Sequence, residues 1–229
     1  MQLQQILFSQ GFGTRHECAG LVVQGHVQVN GQTCTDPFED LEPEGLVFEV
    51  DGKPWPYREK ALVMLNKPTG YECSMKPKHH PSVLSLLPGP LRVRGVQPVG
   101  RLDEDTTGLL LLTDDGALIH KWTHPKRKLP KVYEAQLKHP MDDAACQKLL
   151  AGVVLDDDPA PVKAEVAELP EPLLLRMSLT SGRYHQVKRM VAAVGNRVEG
   201  LHRPQFGQLR LPDDLAPGQW CWVLPSEVS

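Results

Sequence analysis

From about Lys60 onward, short strand-like and helix-like segments alternate along the 229-residue chain. Its apolar runs, such as Leu109–Leu112, are far too short to cross a bilayer. This alternation predicts an α+β fold built on a mixed, mainly antiparallel sheet. The expected strands are Ala61–Leu65, Val132–Leu137, Val162–Leu169, Leu173–Leu179, Leu209–Leu211 and Trp220–Leu224.

Capping residues predict where the helices of this region begin. Asp114-Asp115, Asp142-Asp143 and Ser181 each precede a helical pattern. The clearest pattern follows Ser181 and ends at Gly195, in the position of a C′ glycine. Its apolar residues share one helical stripe: Tyr184, Val187, Val191 and Val194.

Residues 1–58 have the pattern of a small unit of their own. Two short helices are expected, the second over Arg15–Val23 with Thr14 as its N-cap. Asn30-Gly31 then predicts a tight turn after a short strand, and Leu46–Val50 is a further strand. Two prolines in the segment 51–57 indicate a linker to the larger region, residues 59–229.

Charge is distributed unevenly, although the whole chain has a net charge of only −3. Residues 1–58 hold three basic and eight acidic residues, whereas residues 176–210 hold seven basic residues and one acidic residue. Local clusters set phosphate affinity, so the segments 120–139 and 176–210 are the expected phosphate-binding surfaces. Charge alone would favour a simpler interpretation, solvated faces. The first basic cluster, within the segment 120–139, consists of Lys121, Lys126, Arg127, Lys128 and Lys131.

The five cysteines are scattered and form no CxxC pair or Cys/His cluster. This pattern predicts neither a disulfide framework nor a zinc site. The segment Met1–Gln5 lacks the basic and apolar regions of a signal peptide. A reduced, cytoplasmic setting is therefore expected.

A glycine-bounded loop carries the most reactive set of side chains. Gly100-Arg101-Leu102-Asp103-Glu104-Asp105-Thr106-Thr107-Gly108 stands directly before the apolar run Leu109–Leu112. Loops held by a rigid strand commonly present reactive groups. On physical grounds alone, an acidic loop is more often a solvated turn, so its function depends on the motifs around it.

Four blocks, in order and spacing, resemble the RsuA-like family of ribosomal small-subunit pseudouridine synthases. They are Leu65–Gly70, the loop Gly100–Leu109, Lys131-Val132-Tyr133 and Gly182–Met190. Residues 1–58 resemble an S4 RNA-binding domain in their two short helices and the strand and turn Gly25–Gly31. The resemblance implies a small S4-like domain followed by a pseudouridine synthase domain.

The resemblance implies that Asp103 is the catalytic carboxylate. In this family an aspartate drives cleavage of the uracil glycosidic bond, the base turns, and carbon replaces nitrogen at the ribose. No redox step or group transfer occurs, so neither a metal nor a small-molecule cofactor is expected. An ionised carboxylate can act as a nucleophile or as a base near neutral pH, and the sequence leaves that choice open.

Two further residues match family positions at the reaction centre. The resemblance implies that Tyr133 stacks on the extruded base and that Lys188 pairs with Asp103, which would hold the carboxylate ionised and oriented. Taken alone, a strand tyrosine is more often a core residue, and a helix lysine is more often a surface residue.

RNA contacts are also implied by the resemblance. Arg101 is expected to help displace the target nucleotide, because a uridine inside paired RNA must leave its helix to be reached. Further RNA contacts are expected from Arg183, His185, Gln186, Arg189 and Lys131.

The resemblance is strongest to enzymes of the small subunit. It implies one uridine of 16S rRNA, uridine 516 in the 530 loop, as the target. The expected partner is the rRNA of a small-subunit assembly intermediate, and the enzyme is expected to be a monomer. The alternative within the class is a uridine of 23S rRNA or tRNA. Two alternatives lie outside it: a non-catalytic RNA-binding assembly factor, and a glycoside hydrolase using Asp103 and Asp105. The hydrolase is least favoured, because carboxylates two residues apart on a tight loop are poorly placed to flank a sugar.

Overall fold

The computed structural model of the protein describes residues 1–127 and 129–229, so Lys128 of the first basic cluster lies outside the described residues. The chain forms two compact units. The first consists of Met1–Ala61, Leu87–Gln97 and Thr113–Asp115, and the second of Leu62–Leu86, Pro98–Leu112 and Gly116–Ser229. The sequence places a boundary between residues 58 and 59, whereas the first unit also includes two later segments of the chain.

The first unit contains short helices and a four-stranded antiparallel sheet. Its helices are α1 (Leu3–Ser9), α2 (Arg15–Val23) and α3 (Gly89–Val93). Its strands are β1 (Val27–Val29), β2 (Gln32–Cys34), β3 (Val47–Val50) and β4 (Lys53–Pro56), in the order β2-β1-β3-β4. Buried side chains of its core are Leu3, Ile6, Leu7, Cys18, Val22, Val27, Phe48 and Trp55.

The predicted helix start and tight turn of this unit are confirmed. The Thr14 hydroxyl accepts a hydrogen bond from the Glu17 N–H at 3.2 Å, and the Glu17 carboxylate accepts one from the Thr14 N–H at 2.7 Å. This is a capping box. Asn30 and Gly31 have positive φ angles of 53° and 75°, as a two-residue turn between paired strands requires.

The segment 51–57 is not the linker that its two prolines suggested. Lys53–Pro56 form β4, which pairs with β3 and lies at the edge of the sheet. An edge strand tolerates proline because one side of its backbone has no ladder hydrogen bonds to make. Trp55 of this strand is buried in the core. The prolines therefore mark an edge strand.

A buried ion pair explains why the first unit is discontinuous in sequence. Arg94 pairs with Asp114 at 2.7 Å, and their side chains are 4% and 14% exposed. Arg94 also donates to the Gln10 side chain at 2.9 Å and to the Arg58 carbonyl at 2.8 Å. A buried guanidinium needs such partners to offset its desolvation, and here they come from the other two segments of the unit, Met1–Ala61 and Thr113–Asp115.

The second unit is built around a large sheet. Its helices are α4 (Gly116–Thr123), α5 (Asp143–Ala151), α6 (Gln186–Ala193) and α7 (Pro225–Val228), with 3₁₀ turns at Val83–Leu86 and Pro125–Arg127. The remaining strands are β5 (Leu62–Lys67), β6 (Gln97–Pro98), β7 (Thr106–Thr113), β8 (Lys131–Leu137), β9 (Val153–Leu155), β10 (Asp158–Val162), β11 (Val166–Glu171), β12 (Leu174–Leu179), β13 (Val198–Phe206), β14 (Leu209–Arg210) and β15 (Trp220–Trp222).

The predicted mixed, mainly antiparallel sheet is confirmed. The main path is β11-β12-β8-β13-β7-β5-β15, with β14 paired to β13 and β6 paired to β7. Strands β13 and β7 are parallel, whereas the β11–β12, β12–β8, β8–β13, β13–β14 and β5–β15 pairs are antiparallel. One apolar cluster joins β8 and β12 to α5 and α6, and another joins β5 and β7 to α4.

Helix α6 begins later than predicted. Ser181 does not cap it, because the helix starts at Gln186 with His185 as its N-cap. Tyr184 therefore precedes the helix and is 69% exposed. The predicted end is confirmed, since Gly195 follows the helix with a φ of 82°.

One predicted strand needs correction, and two central strands of the main sheet were not predicted. The single strand predicted over 162–169 is two strands, because β10 ends at Val162 and β11 starts at Val166. Strand β7 was not predicted, because its run Leu109–Leu112 is buried throughout and so lacks the alternation of a half-buried strand. Strand β13 was not predicted either; it contains Pro204, at a register shift in its pairing with β8.

Candidate active site

The loop 100–105 leads from β6 into β7 and carries Asp103. Gly100 has a positive φ of 74° where the loop begins, and the Thr106 N–H donates to the Asp103 carbonyl at 3.1 Å where it ends. The Asp103 side chain is 29% exposed. The turn therefore presents this partly exposed carboxylate at the start of a buried strand.

Two side chains from the start of α6 hold the Asp103 carboxylate. The Lys188 Nζ lies 3.1 Å from Asp103 Oδ2, and 2.8 and 3.0 Å from the carboxylate oxygens of Asp105. The His185 Nε2 lies 3.3 Å from Asp103 Oδ1. Each oxygen of Asp103 thus has its own partner, which fixes the orientation of the carboxylate.

Lys188 and Asp105 stabilise each other's charged forms. Partial burial lowers the pKa of Lys188, but the hydrogen bonds that it donates to Asp105 and Asp103 outweigh this and raise the pKa above its ordinary value. Partial burial raises the pKa of Asp105, but the hydrogen bond and charge of Lys188 outweigh it and hold that pKa below its ordinary value. Lys188 is therefore a cation and Asp105 an anion at neutral pH.

The backbone before α6 is shaped to bring these side chains to the loop. His185 has a φ of 47°, in the left-handed region that costs a non-glycine residue conformational energy. The Gln186 side chain braces the turn, because it accepts from the Arg183 N–H at 2.8 Å and donates to the Ser181 hydroxyl at 2.7 Å. Tyr184 stacks on the His185 ring with centroids 3.8 Å apart. The strained turn thus directs His185 towards the loop and leaves Tyr184 exposed beside it.

Lys67, at the end of β5, fixes the backbone of the same loop. Its side chain is fully buried, and its Nζ donates to the carbonyls of Pro68, Glu104 and Thr106 at 3.0, 2.9 and 2.8 Å. Burial lowers the pKa of Lys67. This lysine belongs to the sequence block Leu65–Gly70, but its role was not predicted. The available signal was a lysine at the end of an apolar strand, directly before a proline.

Strands β7 and β13 approach closely just beyond the loop. Gly108 pairs with Arg203 across these strands, and a Cβ on Gly108 would lie 2.4 Å from the Arg203 carbonyl oxygen. Gly108 also has a φ of 106°, which favours glycine. The glycine that closes the loop motif is therefore required by backbone contact.

Tyr133, on β8, lies beside a buried arginine. The Arg203 guanidinium is 5.9 Å from the centre of its ring, and Nη1 is 3.4 Å from its hydroxyl. Arg203 is only 2% exposed, and its Nη2 has no hydrogen-bond partner in the part of the chain that the structure describes.

Burial, with the nearby charge of Arg203, lowers the pKa of Lys131 to about 8. Arg203 and Lys131 both lie against the Phe206 ring, at 5.3 and 5.6 Å from its centroid.

Two cavities share Asp103 and Tyr133 in their walls. The smaller, of about 90 Å³, is also lined by Lys188 and His185. The larger, of about 630 Å³, extends to Lys131 and Arg203. A carboxylate, an aromatic ring and several cations around such a space suit an extruded nucleobase with its sugar at the carboxylate.

The sequence-predicted site residues do not all reach these cavities in the same way. Arg183 lines both cavities but is paired with Asp158, and Arg189 is paired with Asp157. Gln186 is buried and braces the turn. Those whose side chains line a cavity are Arg101, Asp103, Lys131, Tyr133, Arg183, His185, Gln186 and Lys188.

Arg203 was missed as a site residue. It is one of the seven basic residues of the segment 176–210, which was expected to bind phosphates. Its guanidinium is instead buried and donates to the Leu109 carbonyl at 2.9 Å. A charge count cannot separate a buried arginine from a surface arginine. The pairing of β13 with β7 decides its position, and β13 was not predicted.

Within residues 1–127 and 129–229, no three His, Cys, Asp or Glu side chains are grouped as a metal site requires. No helix in the same residues is long and apolar enough to cross a membrane. All five cysteines are free thiols.

Comparison with known families identifies both parts of the chain. The family described as RNA pseudouridylate synthase matches residues 61–193, which include Asp103, Tyr133 and Lys188. The chain belongs to this family. The S4 domain family matches residues 1–46, so an S4 domain precedes the synthase domain.

Relatives of this pseudouridine synthase match it over nearly its full length. Ribosomal small subunit pseudouridine synthase A of Yersinia pestis is 39% identical over 91% of this chain and 86% of that protein. The protein of the same name from Escherichia coli K12 is 38% identical over 100% of this chain and 99% of that protein. A solved pseudouridylate synthase structure is 31% identical, covers 100% of this chain and 98% of that chain, and has a TM-score of 0.70. The predicted family and its fold are confirmed.

Proposed function

We propose that this pseudouridine synthase isomerises one uridine of 16S rRNA, uridine 516 in the 530 loop, with Asp103 as its catalytic carboxylate. The observation that carries the reaction is the Asp103 carboxylate held by Lys188 and His185 in the wall of a cavity shared with Tyr133. The choice of target rests on relatives named for the small subunit, which match over 86% or more of their length.

In the proposed reaction the target uridine leaves its RNA helix, and its base enters the cavity. The bond between N1 of uracil and C1′ of ribose breaks, the base turns, and a bond forms between C5 and C1′. C5 loses its proton and N1 gains one. Substrate and product contain the same atoms, so no oxidant, reductant or group donor is consumed.

The residues of the site have separate tasks in this proposal. Asp103 acts on the ribose, as nucleophile or base, while Lys188 and His185 keep its carboxylate oriented. Tyr133 offers a flat face to the uracil ring. Arg101 helps the nucleotide leave its helix.

Other residues of the site meet the RNA or shape the turn. Lys131 and His185 contact the RNA, and Gln186 holds the turn in place. Arg183 and Arg189 would meet phosphates while sharing their guanidinium groups with Asp158 and Asp157, or after exchanging these partners.

The proposal includes the setting of the enzyme. Residues 1–58 act as an S4 domain and residues 59–229 as the catalytic domain, in a cytoplasmic monomer. The partner is the RNA of a small-subunit assembly intermediate, because a helix buried in the mature ribosome would hinder extrusion of its uridine. Neither a metal nor a small-molecule cofactor takes part.

The test is to incubate the purified chain with 16S rRNA, 23S rRNA and tRNA transcripts and to map pseudouridine in each. We expect modification of 16S rRNA at position 516. Pseudouridine confined to 23S rRNA or tRNA would contradict the target and keep the reaction. Binding to RNA without pseudouridine in any transcript would contradict the enzyme and support an RNA-binding assembly factor.

A further inference from the structure

The loop 71–82, between β5 and the 3₁₀ turn Val83–Leu86, is closed around one carboxylate. Glu72 accepts hydrogen bonds from the N–H groups of Lys78, His79 and His80 at 3.1, 2.8 and 2.9 Å. These backbone hydrogen bonds lower the pKa of Glu72 to about 2. The carboxylate is therefore ionised in the neutral and mildly acidic pH range and can accept these three hydrogen bonds.

The two lysine and two histidine side chains of this loop are exposed. Lys76, Lys78, His79 and His80 all lie at the surface, and none of them forms an ion pair with any residue of the described ranges. Glu72 is the only acidic residue of the loop, and its oxygens face the backbone. A fixed loop with free cations is prepared to bind an external anion.

The absence of ion pairs at Lys76 and Lys78 distinguishes them, among the described residues, from the arginines near α6. Arg183 and Arg189 already have carboxylate partners, Asp158 and Asp157. A phosphate would have to share each guanidinium with its aspartate or displace that aspartate. The lysines of the loop 71–82 can bind a phosphate without losing an internal ion pair.

The base of the loop is joined to the loop that carries Asp103. The Leu102 N–H donates to the Cys73 sulfur at 3.5 Å, and the Gly70 N–H donates to the Glu104 carbonyl at 3.1 Å. Leu102 and Glu104 are the direct neighbours of Asp103 in the chain. The free cations thus lie on a segment that borders the candidate catalytic carboxylate.

We infer that the loop 71–82 is a phosphate-binding arm that contacts the substrate RNA backbone beside the target nucleotide. This inference rests on the proposed function, because it requires RNA at Asp103. Lys76 and Lys78 supply the charge for the phosphates, and the imidazoles of His79 and His80 supply additional hydrogen-bond donors. Glu72 does not touch the RNA and acts as a positioning residue that shapes the arm.

The test measures the affinity of the full chain for a 16S rRNA fragment across a salt series. Lys76→Gln/Lys78→Gln should weaken binding about tenfold and reduce the slope of log affinity against log salt by about 1.4, as the loss of two phosphate contacts to unpaired RNA requires. The control is Lys148→Gln/Lys163→Gln, which removes the same charge from two exposed lysines outside the arm. An equal loss in both double variants, or an unchanged slope, would overturn the inference.

A second variant separates shape from charge. Glu72→Ala removes a negative charge but releases three backbone N–H groups, so we expect binding to weaken about threefold because the arm is no longer preorganised. Tighter binding by Glu72→Ala would overturn the role of the fixed shape.

Pseudouridine formation by the unmodified protein is measured in parallel. Absence of pseudouridine in that assay contradicts the proposed function. Pseudouridine formation together with loop variants that match the control contradicts this inference alone.

Discussion

The end of β5 and the start of α6 hold the same loop from two directions, each through one lysine. Lys67 is fully buried and, among the described residues, binds backbone carbonyls, including those of Glu104 and Thr106. Lys188 is partly exposed and binds only carboxylates, those of Asp103 and Asp105. Burial lowers the pKa of the first lysine, whereas carboxylate partners raise the pKa of the second.

This difference separates folding from chemistry. The ammonium group of Lys67 donates to backbone carbonyls, and these hydrogen bonds hold the loop in its conformation. The cation of Lys188 compensates the charge of the group proposed to react. We therefore expect the two lysines to fail in different ways when each is replaced by methionine, which keeps the length of the side chain and removes the charge.

The largest effect is expected at Lys67. Lys67→Met removes the ammonium donor from three carbonyls, of which Glu104 keeps a hydrogen bond from the Gly70 N–H, and the free energy of unfolding should fall by about 3–5 kcal/mol. Chemical denaturation measures it. Lys148→Met, at an exposed lysine of α5, is the matched control and should change stability by less than about 0.5 kcal/mol. A loss at Lys67 as small as that of the control would contradict a structural role for the buried lysine.

The next effect is expected at Lys188, in turnover and not in stability. Lys188→Met should slow single-turnover pseudouridine formation about 10²–10³-fold, because a preorganised charge beside the reacting group is lost. Lys188→Arg should keep more of the rate, since the charge remains although its planar head fits less well. If Lys188→Met reacted within about threefold of the unmodified enzyme, the pairing would have no catalytic role.

A smaller effect is expected in the titration of Asp105. Its pKa in the folded protein is lowered by Lys188, so ionisation of Asp105 stabilises the fold above the unfolded pKa of about 3.9. This contribution is lost as the pH falls through the folded pKa. In Lys188→Met the pKa of Asp105 should rise, and acid unfolding should begin at a higher pH. Carboxyl NMR during a pH titration measures the shift, and an unchanged pKa would show that the ion pair is absent in solution.

The smallest effect concerns a third lysine of the site. Lys131 has a pKa lowered to about 8, so it loses its proton and its attraction for phosphate above that pH. RNA affinity should fall about threefold more between pH ~7 and ~9 for the unmodified protein than for Lys131→Arg, which stays charged. Parallel pH dependence in both proteins would exclude Lys131 as a titrating RNA contact.

The same contrast explains how far the sequence could predict the site. Asp103, Lys188 and Tyr133 were assigned roles because motifs report the identity and spacing of side chains that act on other side chains or on substrate. Lys67 received no role because its partners are carbonyl oxygens, whose positions exist only once β5 lies beside the loop. Arg203 was assigned to the surface because the sequence does not reveal that β13 pairs with β7.

The fold was predictable to a similar extent. Elements with local signals, such as the Thr14 cap and the Asn30-Gly31 turn, are confirmed. Elements whose environment is non-local were misjudged: β4 because its prolines are tolerated only at a sheet edge, and β7 because a strand buried throughout shows no alternation.

The most direct test of the central claim is single-turnover pseudouridine formation by Asp103→Asn on the 16S rRNA fragment. The amide keeps the size of the side chain and removes the charge that the reaction needs. Asp213→Asn, at an exposed aspartate of the second unit, is the control and should react like the unmodified enzyme. We predict no measurable pseudouridine with Asp103→Asn, while its RNA affinity stays within about threefold, because Asp103 contributes to chemistry more than to binding. Substantial pseudouridine formation by purified Asp103→Asn would contradict the account.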